Sequence, residues 1–402
     1  MEKVRYGVIG IKGKGRLHAR LANQNEKVEL TSLVDIDKEL LDKGVKEFGG
    51  RGYTDYREML NAGNVDAVSI ATPHYLNGII GLECLKAGIH VFLEKPFAIR
   101  ISEGMAMLDT SRAKNLKICV GFQYRTYRSS KAIKDLISKG AIGKVSRVLW
   151  TWGEFRPESY YSRDDWRHTY RHAGGGVLMN QASHDLDLIC WMIDKPVQVS
   201  ALVGNQIHRA EIEDIACANI QFANGAFGSF QSTINHPRGY SVRQIAGDKG
   251  VIVLPDVKSL THDRNDRVML GTYEDVISRL VTDLPGNHDQ PKVLWQDILP
   301  GEKPLWKKLT DPKKVLQKIG LMKKEKLVDG TFILMNSFID SILYGGEPLI
   351  NGESAYQSLE LINAILLSAV RKKTVSLPID PEEFDHLFGE LCEQRVKISR
   401  FH

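Results

Sequence analysis

Glu94-Lys95-Pro96 closes the apolar run His90-Val91-Phe92-Leu93, so a lysine falls where a short buried strand should stop. An ammonium at that place can stabilise a developing oxyanion, and partial desolvation can lower its pKa until the amine takes up a proton. The ordinary alternative is a solvated surface lysine. Asn180 and His184 stand four apart, the spacing that points two side chains the same way on one helix. Together they offer an amide that bonds an oxygen and an imidazole that passes a proton or binds a hydroxyl. The alternative for His184 is a helix histidine bonded to a neighbour. Just before them, Gly174-Gly175-Gly176 should let backbone approach a ligand closely.

A second cluster suits a phosphate-bearing ligand. Gly10-Ile11-Lys12-Gly13-Lys14-Gly15 follows an apolar run, Val4–Ile9, and precedes a helical pattern. A G-x-G-x-x-G turn would place glycine at 12, where Lys12 stands, and Gly13 substitutes for it at the next position. Gly10 suits the tight turn and Gly15 close helix–strand packing. Lys12, Lys14 and Arg16 add positive charge where helix N-terminal N–H groups already favour phosphate. Asp35 ends the next apolar run, Val28–Val34. Its carboxylate suits ribose hydroxyls and repels a 2′-phosphate, which favours NAD over NADP, although the nearby basic residues keep NADP open. A solvated loop aspartate is the alternative.

These residues need elements to hold them. Val4–Ile9, Val28–Val34, Asp66–Ala71, His90–Leu93 and Lys117–Gly121 read as strands. Between them, Leu17–Asn23, Leu40–Phe48, Tyr56–Ala62, Leu76–Ala87 and Ile101–Lys114 read as helices. Strict alternation implies right-handed βαβ crossovers, a parallel doubly wound sheet, and ligands beyond the carboxyl ends of its strands. Later runs are rich in β-formers: Val145–Trp152, Val197–Val203, Ala216–Phe222, Ala226–Thr233 and Ser241–Ala246. The fold class is therefore α/β, with a second α+β domain.

The 402 residues suffice for two domains, and 43% hydrophobic with 26% charged residues is ordinary for a globular protein. A net charge of +5 over this length does not suggest a nucleic-acid partner. The opening residues run straight into a strand pattern without an apolar signal core, and no apolar run approaches a membrane span. Five cysteines, with no C-x-x-C pair and one left over, read as reduced thiols. A cytoplasmic location is expected.

Ala71-Thr72-Pro73-His74-Tyr75-Leu76-Asn77, Lys86-Ala87-Gly88-Ile89-His90 and Glu94-Lys95-Pro96 resemble the glucose–fructose oxidoreductase / inositol dehydrogenase (Gfo/Idh/MocA) family. The stretch from Gly174 to Asp187, Gly247-Asp248-Lys249-Gly250, and the tail Phe338–Pro378 with Gly352-Glu353 extend the resemblance. It covers nearly the whole chain except about 255–330. It implies a Rossmann domain over about 1–122, then an α+β domain over 123–402 with an open, mainly antiparallel sheet whose outer face often makes dimers or tetramers. It also implies hydride transfer between NAD(P) and a secondary alcohol or ketone of a sugar, cyclitol or related polyol.

On the same resemblance Lys95 is the acid/base group, with His184 and Asn180 at the reacting oxygen. A cis Lys95–Pro96 bond would aim the amine into the cleft. The cofactor is expected to border Gly10, Lys12, Gly13, Lys14, Gly15, Asp35, Thr72, Pro73, Asn77, Glu94, Lys95 and Arg125. Asn77 stands where members commonly carry histidine. Arg167 and Tyr160 fall in the segment that borders substrate, and Tyr160 and Tyr161 can stack on a sugar face. Because Asn180 is an amide, and not the aspartate of many members, His184 should titrate low and be neutral at pH 7. His168 and His172 read as a histidine-rich loop in preference to metal ligands, so no metal is expected. Residues 255–330 read as an insertion: Glu302–Lys326 holds nine lysines and three acids among scattered apolar residues, the pattern of a solvated amphipathic segment. Two rival functions remain: cleavage of glycosides through transient oxidation by tightly held NAD, and a non-catalytic cofactor-binding regulator.

Overall fold

The computed structural model describes residues 3–162, 166–237, 241–254, 267–273, 292–300, 329–396 and 398–400. The lysine-rich stretch 302–326 and most of the expected insertion lie outside them.

The first sheet forms from strands β1 (Val4–Ile9), β2 (Val28–Val34), β3 (Arg51–Tyr53), β4 (Ala67–Ile70), β5 (His90–Leu93) and β6 (Ile118–Val120). All pairs are parallel, in the order β3-β2-β1-β4-β5-β6. The crossovers are helices α1 (Lys14–Asn23), α2 (Lys38–Phe48), α3 (Tyr56–Ala62), α4 (His74–Lys86) and α5 (Ile101–Lys114). This is the expected doubly wound layer. Strand order reverses between β1 and β4, so the ligand crevice opens over their carboxyl ends. Strands β4 and β5 are buried along nearly their whole length, as a sheet covered on both faces requires. Arg51–Tyr53 is a strand that the hydrophobic pattern does not announce, being three residues long with a central glycine.

After a 3₁₀ turn, Gln123–Thr126, helix α6 (Arg128–Ser138) leads into the second sheet. That sheet comprises β7 (Val145–Gly153), β8 (Pro196–Asn205), β9 (Ile215–Phe222), β10 (Phe227–Thr233), β11 (Arg243–Gly247), β12 (Gly250–Leu254), β13 (Arg267–Tyr273), β14 (Val293–Pro300), β15 (Val375–Ser376) and β16 (Ser399–Arg400). The order is β14-β13-β12-β11-β7-β10-β9-β8-β15, with β16 beside β8. Pairing is antiparallel except for β7 with β10 and β8 with β16. Burial alternates along β9 and β10, so one face packs on the core and the other is open.

Between β7 and β8 the described residues form four helices: α7 (Ser159–Ser162), α8 (Tyr170–Ala173), α9 (Val177–Asn180) and α10 (Ser183–Met192). Helices α11 (Gly330–Tyr344) and α12 (Gly352–Arg371) then return to the first sheet, and α13 (Pro381–Cys392) follows. Phe338 of α11 meets Phe92 of β5 at 5.9 Å between ring centroids. Two residues fix the start of α12: Asn351 caps its first turn through Ser354 N, and Gly352 sits where a Cβ would come 2.8 Å from Leu108. The helix packs against α5, α10 and β8, joining both sheets in one core.

Candidate active site

The glycine turn is built by close contact. A Cβ at Gly15 would lie 1.6 Å from the Gly10 carbonyl oxygen, so α1 reaches β1 only with glycine there. Gly10 takes φ +80° against the backbone of Ala71, while a Cβ at Gly13 would meet nothing within 4 Å. No side chain caps the amides that open α1, and Lys12 and Lys14 are exposed beside them. Although Gly15 N donates to Lys12 O at 3.2 Å, N-terminal amides without a side-chain cap and flanking cations fit a pyrophosphate. Arg16 is turned away from it, in an ion pair with Glu47. Asp35 accepts from Ile11 N at 2.9 Å and Asp37 N at 3.0 Å, one bond to each oxygen. Each oxygen keeps a lone pair for a ribose hydroxyl, so the residues present fit a dinucleotide.

At the end of β5 the Lys95–Pro96 bond is cis. Asn77, fully buried in α4, donates to Glu94 O at 3.1 Å and Pro96 O at 2.9 Å, and accepts from Thr72 Oγ1 at 3.1 Å. Its amide grips the chain on both sides of Lys95, so the bonds it makes are to protein and serve to position the lysine. Glu94 is buried beneath Lys95, with Oε1 2.9 Å from His18 Nε2. The His18 Nδ1 lies 2.7 Å from Ser69 Oγ, itself 2.6 Å from the Tyr6 hydroxyl. Burial opposes ionisation of Glu94, but the His18 bond and the charges of Lys14 and Lys95 outweigh it and keep the carboxyl below its usual range.

Lys95 Nζ donates to the Asn180 carbonyl and lies 3.5 Å from Asn180 Oδ1. Burial pushes its pKa down, Glu94 pushes back, and Lys14, Arg167 and Arg156 push down again, leaving it at about 8. An amine balanced there holds or releases a proton near neutral pH. Asn180 Nδ2 donates to the Tyr160 hydroxyl at 2.8 Å, and Arg167 Nη1 donates to the same oxygen at 3.1 Å. Lys95, Asn180, Tyr160 and Arg167 thus form one connected group.

His184 does not share a helix with Asn180. Helix α9 ends at Asn180 and α10 starts at Ser183, with Ala182 N reaching back to Val177 O at 2.8 Å. The expected face-sharing pair is instead two residues on successive short helices, and no hydrogen bond joins their side chains. His184 stacks on Tyr124 at 4.0 Å and meets Phe122 edge-on at 5.7 Å. Its Nδ1 is buried without a hydrogen-bond partner among the described residues. Burial first, then the charges of Lys95 and Lys14, hold its pKa well below the usual range, so the ring is neutral at pH 7. The expected direction holds, but the cause is desolvation more than the amide at 180.

Arg125 also departs from expectation. Its Nε and Nη2 engage Asp187 at 2.8 and 2.6 Å, and Nη1 engages Ser354 Oγ at 2.6 Å. With its fork engaged by Asp187 and Ser354 and 5% of its surface exposed, Arg125 braces α10. On the other side of His184, Asp185 accepts from Trp150 Nε1 at 2.7 Å and Arg243 Nη2 at 2.6 Å. Alternate carboxylates of Ser183-His184-Asp185-Leu186-Asp187 therefore clamp the helix that carries His184. The signal is present in the sequence, but each partner lies far along the chain.

The triple glycine is required by packing against protein, on top of any ligand approach. A Cβ at Gly174 would come 2.5 Å from Ile99, and one at Gly176 would come 1.8 Å from the Glu213 carbonyl oxygen. Glu213 accepts from Gly176 N at 2.7 Å and Leu178 N at 3.2 Å, and burial still lifts its carboxyl to about 7. His74, to which the sequence pattern assigns no role, also borders the site. It donates Nδ1–H to Ala173 O at 2.9 Å and packs against Trp166 at 4.6 Å. Burial and Lys95 hold it at about 3, so it too stays neutral. His172 bonds Thr169 and meets Tyr75 across the same domain junction.

Residues 4–122 match the oxidoreductase family described as having an NAD-binding Rossmann fold, and residues 130–253 match the GFO/IDH/MocA C-terminal domain. The myo-inositol 2-dehydrogenase of Thermotoga maritima is 26% identical over 275 residues, 66% of this chain and 80% of that protein. The levoglucosan dehydrogenase of Pseudarthrobacter phenanthrenivorans is 27% identical over 273 residues, 61% of this chain and 68% of that protein. Among solved structures, the WlbA dehydrogenase of Bordetella pertussis, in complex with NADH and UDP-GlcNAcA, superposes with a TM-score of 0.74 at 26% identity. It covers 94% of this chain and 99% of its own.

Proposed function

The chain belongs to the GFO/IDH/MocA oxidoreductases with their NAD-binding Rossmann domain, and from that premise we propose that it oxidises or reduces one carbon of a sugar or cyclitol at Lys95. The observation that carries this reading is the Lys95 amine, at about 8, held against Asn180 at the carboxyl end of β5.

Bound NAD supplies the acceptor for the hydride. In the oxidising direction, neutral Lys95 takes the hydroxyl proton as the C–H bond gives up its electron pair and the C=O bond forms. In the reducing direction, the ammonium returns that proton to the new alkoxide. Asn180 fixes the amine through its carbonyl, and Asn77 fixes the backbone on either side. His184, neutral and stacked on Tyr124, offers a hydrogen bond to a substrate hydroxyl without adding a second charge. Glu94, Thr72 and Pro73 are proposed to border the cofactor between this site and the glycine turn, where a Cβ on Gly10 would come 3.3 Å from the Thr72 methyl. We also propose a cytoplasmic homo-oligomer, joined through the open face of the second sheet, where Leu202 and Phe227 are 73% and 62% exposed. No described helix is long and apolar enough to cross a membrane.

The test is a panel of myo-inositol, levoglucosan, glucose 6-phosphate and a UDP-hexuronate, with NAD or NADP, followed at the nicotinamide absorbance band. Turnover of at least one member supports the reading. NADH binding with no turnover across the panel refutes it, and cleavage of a glycoside without net cofactor change replaces it with the glycosidase alternative.

A further inference from the structure

We infer that the Tyr160 hydroxyl is a hydrogen-bond donor to the substrate, directed at an oxygen other than the one on which Lys95 acts. This rests on the proposed sugar or cyclitol reading, and it follows from the direction of four hydrogen bonds. An ammonium has only donors, so charged Lys95 requires acceptors, and it finds the carbonyl and Oδ1 of Asn180. That fixes which way the Asn180 amide faces: oxygen toward Lys95, NH2 toward Tyr160, 2.8 Å away. A guanidinium likewise has only donors, and Arg167 Nη1 lies 3.1 Å from the same phenolic oxygen. The oxygen therefore accepts twice. Its own hydrogen is left over, with no acceptor among the described residues.

The ring is held so that this hydrogen has a defined direction. Arg156 and Arg167 lie 5.1 and 5.0 Å from its centroid, and Tyr161 meets it edge-on at 5.4 Å. Tyr160 is partly exposed, on the same connected group as Lys95. N–H bonds into a hydroxyl oxygen also polarise the O–H it carries. An acceptor-only or hydroxyl oxygen on a bound sugar satisfies it, whereas a carbon without oxygen leaves it bare. Tyr160 thus reads for the presence of an oxygen at one substrate position, and stacking of its ring on a sugar face is not needed for that role.

The experiment compares kcat and KM for the panel substrate that the parent turns over and for each of its monodeoxy analogues. It uses the parent, Tyr160→Phe and Asn180→Asp, with NADH binding by fluorescence as a check on folding. In the parent, one analogue other than that lacking the reacting hydroxyl should be about tenfold worse in kcat/KM, the size of one neutral hydrogen bond. Tyr160→Phe should raise KM for the full substrate by a similar factor and abolish discrimination against that analogue alone. In Asn180→Asp, a carboxylate oxygen replaces the NH2 and captures the Tyr160 hydrogen, so the same discrimination should be lost with the hydroxyl still present. This second variant carries the test if Tyr160→Phe fails to bind NADH. Unchanged ratios for every analogue in either folded variant overturn the inference and leave the function standing. A parent that binds NADH and turns over nothing overturns both.

Discussion

In the proposed reaction a single side chain, Lys95, carries two demands: it must be charged for one direction and neutral for the other. Its pKa of about 8 meets both because burial and three cations are opposed by Glu94. Lys95→Met should lower kcat by more than about a hundredfold while NADH affinity, measured by fluorescence titration, stays within about threefold. Residual turnover within about tenfold of the parent would remove Lys95 from the acid/base role. Asn180 offers a finer probe. Since its Oδ1 lies 3.5 Å from the amine, Asn180→Asp places an anion beside an ammonium and favours the charged form. The limb of the oxidation profile that requires neutral Lys95 should move to higher pH, by about one unit, in kcat/KM against pH. An unmoved limb would mean that the amine does not control it. The i, i+4 spacing points to His184 as the partner for this effect, and the break between α9 and α10 is why Lys95 takes its place.

At the level of elements, the glycine turn and the end of β2 act as one piece. Asp35 both anchors Ile11 N and offers lone pairs outward. Asp35→Ser should narrow the preference for NAD over NADP, since the repulsion of a 2′-phosphate goes, and should weaken both because the turn loses an anchor. Calorimetric titration of the two cofactors checks this; a parent that prefers NADP contradicts it. Helix α10 depends on its clamps. Arg125→Met leaves Asp187 charged and buried, a cost of about 3–5 kcal/mol that should appear as a large drop in melting temperature. An unchanged melting temperature would show that the pair is not a clamp. These elements differ in how legible they are in the sequence. Strands β1, β2 and β5 have the expected limits to the residue, because each is built mainly of apolar or β-branched residues even where Arg5 and Glu29 interrupt the run. The glycine turn is legible because its need for small residues is local. What Arg125 and Asn77 do is not, because their partners lie 62 and up to 19 residues away and only folding brings them together. His74 is hidden by position: it stands three residues before 77, where the family pattern expects histidine.

Over the whole molecule, the cleft of the proposed site has a wall from each domain, and the two are not independent bodies. Helix α4 of the first sheet meets the segment 166–173 of the second through His74, Trp166, Tyr75 and His172. From the far end of the chain, Asn336 and Asp340 of α11 bond Asn25 and Lys27. The Ile350 carbonyl accepts from Val120 N at the edge strand β6, and Asn363 of α12 accepts from Ile101 N and donates to Ile99 O.

That return of the chain has a bearing on how the protein is made. Phe92, Cys119 and the edge of β6 are covered by residues that the ribosome adds roughly 200 positions later or more. The nascent nucleotide-binding half must wait, with that apolar flank uncovered, until α11 and α12 emerge. A fragment ending at 122 should therefore be recovered as aggregate, and a separately made piece containing α11 and α12 should rescue its solubility when the two are synthesised together.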